Sequence, residues 1–150
     1  MKNSTMNNLT VAVIGAGAAG LMAAGTAAQQ GACVLLFEHN EKVGRKLAIT
    51  GKGRCNVTNN CDAQTFLTNV PQNPRFLYSA LGAFSVQDTM AFFEKLGVPL
   101  KTERGSRVFP VSDRALDVVD ALYGWVRRCG VTIVHDEVTD LCVEEETGAV

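Results

Sequence analysis

A glycine-rich turn, GAGAAG, follows a short apolar run at Leu9–Ile14 and precedes an alanine-rich segment, Ala18–Gln30. Short β-branched runs form buried strands, and the alanine-rich segment, which Gly31 stops, is typical of a helix. Ala32–Glu38 is a second apolar run and predicts another buried strand. Two fully apolar strands joined by a helix form a βαβ unit in a covered parallel sheet. The sequence therefore predicts an α/β fold.

The turn has the pattern GxGxxG and consists of Gly15, Ala16, Gly17, Ala18, Ala19 and Gly20. In a Rossmann-like fold the first glycine permits the tight turn, and the second lets a diphosphate approach where a Cβ would clash. The third lets the helix pack closely on the sheet, and the helix N-terminus offers N–H groups and partial positive charge. Because the motif lies between a strand and a helix, we interpret it as a phosphate-binding turn rather than as a packing turn alone.

Glu38 lies 18 residues after Gly20, at the carboxyl end of the second predicted strand. A carboxylate there can accept hydrogen bonds from an adenosine ribose, and it would repel a 2′-phosphate, which argues against NADP at this site. The alternative interpretation is a solvated strand end. A Walker-type phosphate site is excluded because Lys52 is followed by Gly53 rather than by Ser or Thr.

The segment HNEKVGRKLAITGKGRCNVTNN, residues 39–60, is rich in glycine, basic residues and asparagine and has little apolar periodicity. We expect a loop here. An NAD-binding unit normally turns directly from its second strand into another crossover, whereas a glycine followed by cations can reach an FAD dinucleotide. The layout favours FAD. An NAD-dependent dehydrogenase domain is the alternative, and it leaves this loop unexplained.

Two stretches, GRKLAITGKGRCNVTN at residues 44–59 and SRVFPVSDRA at residues 106–115, resemble signatures of the BaiN/RdsA-type (YhiN-like) NAD(P)/FAD-dependent oxidoreductases. The resemblance implies a Rossmann-like FAD-binding domain of the glutathione-reductase type. It also implies FAD as cofactor, NAD(P)H as electron donor and an organic acceptor, in some members an enone C=C bond. Members are longer than this chain. Residues 1–150 are therefore expected to be the N-terminal part of an FAD-binding domain, with inserted and C-terminal segments missing and the parallel sheet incomplete.

The resemblance places residues 50–56 beside the flavin. The predicted cofactor-binding residues of this loop are Arg45, Lys46, Thr50, Gly51, Gly53, Arg54, Cys55 and Asn56. The cations suit charge-assisted phosphate contacts, and the glycines permit close approach of the backbone or a positive φ. Val138, after the third predicted strand, is expected to hydrogen-bond adenine through its backbone. The alternative for Val138 is an ordinary strand valine.

Cys55 next to a flavin invites a redox interpretation, which requires a thiol pKa lowered by the cations of Arg54 and Lys52. No CxxC or CxxxxC partner is present, so we favour a structural or cofactor-adjacent thiol. No residue is a convincing general acid, and the catalytic residues stay unassigned. A truncated, non-catalytic FAD-binding fragment is the further alternative, because the last residues begin a strand that ends at a turn signal.

The net charge of −1 predicts no general attraction to nucleic acid or to an anionic membrane. Five cysteines without zinc-type pairs, no secretory signal and no apolar run of membrane length favour a cytoplasmic protein with free thiols. We expect a small-molecule substrate and no metal site, since the two histidines lack ligand spacing. The sequence does not indicate the oligomeric state.

The remaining elements are read from capping and turn signals. Asp62, Ser85 with Asp88, and Ser112 are predicted helix caps. We predict helices over residues 62–69, 74–82, 86–96 and 113–129, and strands over residues 100–103, 107–109, 131–134 and 137–145.

Overall fold

The computed structural model describes residues 9–143. The strands are β1 (Thr10–Ile14), β2 (Cys33–Phe37), β3 (Thr58–Asn59), β4 (Leu100–Thr102), β5 (Arg107–Pro110) and β6 (Thr132–Val134). The helices are α1 (Ala18–Gln29), α2 (Arg45–Ile49), α3 (Ala63–Thr68), α4 (Tyr78–Ala83), α5 (Val86–Lys95) and α6 (Ala115–Arg128), with 3₁₀ turns at Thr50–Gly53 and Pro74–Leu77. Length alone suits one domain, but the chain divides into two compact units. The first unit is Met1–Gly44 with Tyr123–Val150, and the second is Arg45–Leu122.

The first unit contains the predicted parallel sheet. Its strand order is β1-β2-β6, with Val11 opposite Val34 and Leu36 opposite Ile133. The central strand β2 buries Val34 and Leu36 almost completely. Residues two apart on a strand point to the same face, so this face is covered, whereas Cys33 on the other face is exposed and Leu35 and Phe37 are half-buried. Helix α1 connects β1 to β2. The predicted α/β Rossmann-type βαβ unit is confirmed.

Helix α1 packs closely against an aromatic side chain of the same unit. A Cβ atom at Gly25 would lie 2.3 Å from the ring of Trp125, so only glycine leaves room for the indole. Leu21 and Ala24 of α1 are completely buried. Apolar burial of this kind supplies the main driving force for folding.

The second unit is built on an antiparallel sheet of order β3-β5-β4, with Thr58 opposite Val108 and Lys101 opposite Phe109. Two predicted caps are confirmed. The Asp62 carboxylate accepts a hydrogen bond from the Thr65 N–H at 2.7 Å, and Ser85 and Asp88 form a reciprocal capping box at α5.

Three sequence predictions need correction. The loop predicted over residues 39–60 contains α2, a 3₁₀ turn and β3. The last long helix begins at Ala115 rather than at Asp113, because Asp113 has a left-handed backbone (φ +56°) that no α-helix can include. No strand forms over residues 137–143, although apolar and polar residues alternate there, because the segment does not pair with a neighbouring strand. Residues 144 and 145 of that prediction lie outside the described part.

Among the described residues, no helix has the length and apolar character needed to span a membrane.

Candidate functional site

The three glycines of the GxGxxG turn have different surroundings. Gly15 has φ +92°, a conformation that glycine adopts at little cost. A Cβ atom at Gly20 would lie 1.8 Å from the Gly15 carbonyl oxygen, so the helix can approach the turn only with glycine there. At Gly17 nothing lies within 4 Å of the same added atom. The turn is thus closed at its third glycine and open at its second, as a backbone that receives a phosphate must be.

Gly17 is the N-cap of α1, and its lack of a side chain leaves the helix start without a side-chain cap. The Leu21 N–H makes the first helical bond, to the Gly17 carbonyl at 2.9 Å. No acidic side chain lies in the first turn of the helix. The N-terminus of α1 therefore combines open backbone with the partial positive charge of the helix dipole, which favours an anion.

Backbone and carboxylate contacts fix the turn in place. The Gly15 N–H donates to the Phe37 carbonyl at 2.8 Å, so the turn starts where β1 and β2 are still paired. The Ala16 N–H donates to Glu38 Oε2 at 2.9 Å, and the Ala16 carbonyl accepts from the Gly44 N–H at 2.8 Å. The structure thus brings the turn and Glu38 together, and the predicted contact of Glu38 with a ribose stays a prediction.

Glu38 is 6% exposed, so the alternative of a solvated strand end is wrong. Its Oε1 accepts hydrogen bonds from the Asn40 N–H at 2.9 Å and from the Asn40 amide Nδ2 at 2.5 Å. Burial alone would raise the Glu38 pKa, but the bonds from Asn40 and Ala16 outweigh it and hold the pKa below its ordinary value. Glu38 is a buried carboxylate that stays charged because three donors face it.

Two residues of this network were missed by the sequence analysis. Asn40 holds Glu38, and the Asn40 carbonyl lies 3.0 Å from His135 Nδ1, just after β6. An asparagine two residues after a strand-end carboxylate is a recognisable local signal, since asparagine often bonds nearby groups in turns. The contact of His135 has no such signal because it joins residues that are far apart in the sequence.

The loop at residues 50–56 belongs to the second unit and has an unusual backbone. Gly51, Lys52, Gly53 and Cys55 all have positive φ values, between +56° and +85°. A Cβ atom at Gly51 would lie 3.1 Å from the Phe109 ring and from the Asn56 nitrogen. Gly51 thus has the positive φ that is one of the two reasons predicted for a glycine there, and it is also packed tightly within its own unit. Its predicted contact with a cofactor stays a prediction.

Arg54 is the centre of an ion-pair cluster that we call the Arg54 cluster, formed by Arg54, Lys101, Glu103 and Asp113. Its guanidinium donates to Glu103 Oε1 at 2.5 Å and to Asp113 Oδ1 at 2.8 Å, while Lys101 Nζ lies 2.7 Å from Asp113 Oδ2. The Arg54 guanidinium also lies 4.2 Å from the centroid of the Phe109 ring, a cation–π distance. The structure gives Arg54 partners inside the unit, and its predicted contact with a cofactor stays a prediction.

Replacing Arg54 with Gln is expected to loosen the loop at residues 50–56 and to remove its sensitivity to acid. Hydrogen bonds from Lys101 and Arg54 lower the Asp113 pKa, and a bond from Arg54 lowers the Glu103 pKa. A carboxylate with a depressed pKa stabilises above its ordinary pKa, and the contribution is lost as the pH falls through the folded-state value. The wild-type protection factor of the Cys55 amide, which bonds the Thr50 carbonyl, should therefore decrease in acid.

The matched control for that experiment is Arg75→Gln, which removes an exposed arginine of the same unit outside the Arg54 cluster. Arg75→Gln should keep the wild-type profile. If Arg54→Gln also keeps both the protection and its decrease in acid, the Arg54 cluster does not hold the loop.

The Cys55 thiol is 1% exposed, and burial raises its pKa despite an opposing hydrogen bond with Thr50. The structure therefore contradicts the lowered pKa that a reactive thiolate needs and supports the structural interpretation. All five cysteines lie in the described residues and are free, as predicted; Cys33 and Cys142 are exposed.

A thiol reagent at neutral pH should therefore react quickly with Cys33 and Cys142 and leave Cys55 unmodified until the protein is unfolded. The measurement is the number of modified thiols against time, with and without denaturant. Cys55→Ala should lower the denatured count by one and leave the fast native phase unchanged. Loss of a fast-reacting thiol in Cys55→Ala would contradict the burial of Cys55.

The other predicted contact residues lie in both units. Arg45, Lys46 and Thr50 are exposed in the second unit, where the Thr50 hydroxyl donates to the Leu47 carbonyl at 2.8 Å. Asn56 is half-buried and donates through Nδ2 to the Thr58 carbonyl at 3.1 Å. In the first unit, Val138 is half-buried and follows β6 outside any strand. Residues 9–143 contain no group of three His, Cys, Asp or Glu side chains arranged to hold a metal ion.

A parallel βαβ unit with an open glycine-rich turn, a helix N-terminus and a buried carboxylate after the second strand is a Rossmann-type nucleotide-binding unit. The chain belongs to the family described as HI0933-like protein Rossmann domain, which matches residues 9–149.

Curated relatives agree with this family. The chain is 37% identical to the 3-dehydro-bile acid delta(4,6)-reductase of Clostridium scindens over 126 residues, which cover 82% of this chain and 30% of that protein. It is 34% identical to the ribosomal RNA dihydrouridine synthase of Escherichia coli over 145 residues, which cover 95% of this chain and 35% of that protein. The chain thus spans about a third of the length of these relatives. The resemblance stated from the sequence is confirmed.

Among solved structures, the chain is similar to the crystal structure of Thermovibrio ammonificans THI4, with a TM-score of 0.61 and 16% identity. The match covers 94% of this chain and 44% of that one. At this identity the likeness concerns the fold alone, and it agrees with the Rossmann-type sheet of the first unit.

Proposed function

We propose that the complete protein is an FAD-dependent oxidoreductase and that this chain forms part of its FAD-binding domain. The observation that carries the proposal is the open position at Gly17, where an added Cβ would stand in empty space beside the N-terminus of α1. A nucleotide diphosphate suits this cradle because it is anionic and needs bare backbone. The charged Glu38, bonded to the same turn, is placed for the adenosine side of the nucleotide.

Different residues would bind different parts of the FAD cofactor. The turn at Gly15–Gly20 would receive the diphosphate, Glu38 and the Val138 backbone would serve the adenosine, and residues 45–56 would serve the flavin portion. When bound, FAD supplies hydride transfer between a nicotinamide donor and an acceptor, while the protein supplies binding, orientation and electrostatics. NAD(P)H as the donor and a cytoplasmic location belong to this proposal.

The acceptor that we propose is a compound with a carbon–carbon double bond conjugated to a carbonyl group. By its name, the 3-dehydro-bile acid delta(4,6)-reductase adds hydrogen across such a bond. The dihydrouridine synthase does the same, because dihydrouridine is uridine with its ring double bond saturated. The shared chemistry in two relatives supports a reduction of this class. The first candidate for the acceptor is a small molecule, since the net charge of −1 predicts no general attraction to nucleic acid.

One observation favours RNA as a second candidate. The second unit, Arg45–Leu122, holds ten of the fourteen Lys and Arg residues but only seven of the fifteen Asp and Glu residues. This unit therefore has a positive net charge although the net charge of the whole chain is −1. Positive charge concentrated in one unit favours a polyanion such as RNA.

The test is to purify the chain, alone and with any sequence encoded downstream, and to measure bound flavin and NAD(P)H oxidation. The proposal expects a yellow protein whose NAD(P)H oxidation is stimulated by an enone or by undermodified ribosomal RNA. Stimulation by only one of these identifies the acceptor class. A colourless short form and a yellow, active long form would identify the chain as a fragment that does not retain the cofactor alone. Binding of NAD without flavin in either form would support the dehydrogenase alternative and overturn the proposal.

A further inference from the structure

The carboxylate of Glu38 has nearly all its hydrogen-bonding capacity occupied by the protein. Two lone-pair positions on each oxygen give a carboxylate about four acceptor sites. Oε1 receives two donors, both from Asn40, and Oε2 receives the Ala16 N–H. His39 Nδ1 also lies 3.4 Å from Oε1. A ribose can therefore find at most one vacant position, on Oε2, in a side chain that is almost completely buried.

The contact between Glu38 and Ala16 lies inside the glycine-rich turn and has a defined geometric effect. The Gly15–Ala16 peptide is fixed by the bond of its N–H to Glu38, and the Ala16–Gly17 peptide by the bond of its carbonyl to the Gly44 N–H. In a trans peptide the N–H points opposite to the carbonyl. Fixing the Ala16 carbonyl on Gly44 therefore directs the Gly17 N–H away from Gly44, and Glu38 fixes the peptide that precedes this one.

We propose that Glu38 is a positioning residue of the glycine-rich turn, which acts through the Ala16 N–H and is itself oriented by Asn40. This rests on the proposed binding of a nucleotide at the turn and adds a role that ribose recognition does not include. Removing the carboxylate would release the Gly15–Ala16 peptide, whose N–H bonds Glu38. The turn would then lose its binding orientation even for a nucleotide that has no ribose hydroxyl groups.

The role requires a carboxylate rather than any polar group. Both oxygens face N–H donors, one from the turn and two from Asn40. A glutamine has one carbonyl oxygen and one NH₂ group, so Glu38→Gln would place a donor against a donor on one of the two sides. A buried donor that loses its acceptor costs enough to change an equilibrium by about tenfold.

The first test is calorimetric titration of the wild-type chain, Glu38→Gln and Glu41→Gln with ADP and with 2′,3′-dideoxy-ADP. Glu41→Gln is the matched control, because it removes the same charge from an exposed position three residues along the same segment. We expect Glu38→Gln to weaken dideoxy-ADP about tenfold through the lost positioning of the turn, and to weaken ADP at least as much. If Glu38 only binds ribose, Glu38→Gln will weaken ADP and leave the affinity for dideoxy-ADP unchanged, and the proposal is overturned.

A second test needs no nucleotide and separates the two proposals. Amide hydrogen exchange of the ligand-free chain should show Ala16 protected in the wild type and in Glu41→Gln, and about tenfold less protected in Glu38→Gln. Asn40→Ala removes the side-chain donor to Glu38, together with the contact of that amide with His39 Nε2, and keeps the donor of the Asn40 backbone N–H. It should give a smaller change in the same direction, and it replaces Glu38→Gln if that variant does not fold. Unchanged Ala16 exchange in these variants overturns the positioning role. A wild-type chain that binds no ADP but shows the expected exchange counts against nucleotide binding and not against the role of Glu38.

Discussion

Gly20→Ala is expected to destabilise the first unit so strongly that its folded state is lost or nearly lost. The added methyl carbon would lie 1.8 Å from the Gly15 carbonyl oxygen and 3.0 Å from its carbon, and both are backbone atoms. Overpacking a core with flexible side chains costs about 1–3 kcal/mol. Here the obstruction is backbone that the β1–β2 pairing holds in place, so we expect a loss above that range, out of a typical total of about 5–15 kcal/mol.

Urea unfolding followed by tryptophan fluorescence measures this loss, because the chain's single tryptophan, Trp125, is buried in the first unit. Gly17→Ala is the matched control, with the same added methyl group three residues earlier in open space. Its unfolding midpoint should stay near that of the wild type. A Gly20→Ala protein with an unchanged midpoint would mean that α1 does not approach the turn as closely as described.

Gly17→Val is expected to abolish retention of the nucleotide cofactor while the fold persists. Gly17 has an extended backbone (φ −79°, ψ −172°) that valine adopts readily, and nothing lies within 4 Å of its Cβ position. The branched side chain would instead occupy the space through which a diphosphate approaches the backbone. Retention should fall in the order glycine, alanine, valine, with at least about a hundredfold loss of affinity at valine, or about 2.7 kcal/mol.

Flavin absorbance of the purified proteins and titration with ADP give the affinities, and circular dichroism checks the fold. Gly82→Val is the control, because Gly82 also has open space at its Cβ position, within α4 of the second unit. This variant should bind like the wild type. Wild-type affinity in Gly17→Val would place the nucleotide away from the turn and remove the main support for the proposed function.

The contrast between these glycines illustrates what the sequence could predict. The order strand, glycine-rich turn, helix, strand was predictable because each signal is local: β-branched runs, a helix stop at Gly31 and the GxGxxG spacing. The capping box at Ser85 and Asp88 was predictable for the same reason, since both residues lie within one helical turn. The position of Glu38 at the carboxyl end of β2 was predictable from the same local signals, whereas its hydrogen bond to the turn was not.

Some features escaped prediction because they depend on residues distant in the sequence, and others because residue type alone does not determine them. The partners of Arg54 lie 49 and 59 residues away, so a basic loop residue that suited phosphate binding is neutralised within its own unit. Hydropathy alone predicts exposure for a glutamate, whereas Glu38 is buried because three donors compensate its charge. Asp113 was assigned to a helix because Ser112 was interpreted as the N-cap; aspartate adopts the left-handed backbone more often than most residues, but residue type alone does not show where it does so.

The division of the chain into units has a consequence for the order in which it is synthesised. The second unit is one continuous segment, so every residue it needs has been made when Leu122 is added. The first unit is discontinuous. Its central strand β2 can complete its parallel pairing only after β6, nearly a hundred residues later, has been synthesised. Pairing across such a separation is slow because a long loop must close first. The nucleotide-binding framework is therefore expected to finish folding after the segment that interrupts it, although its first strands leave the ribosome earlier.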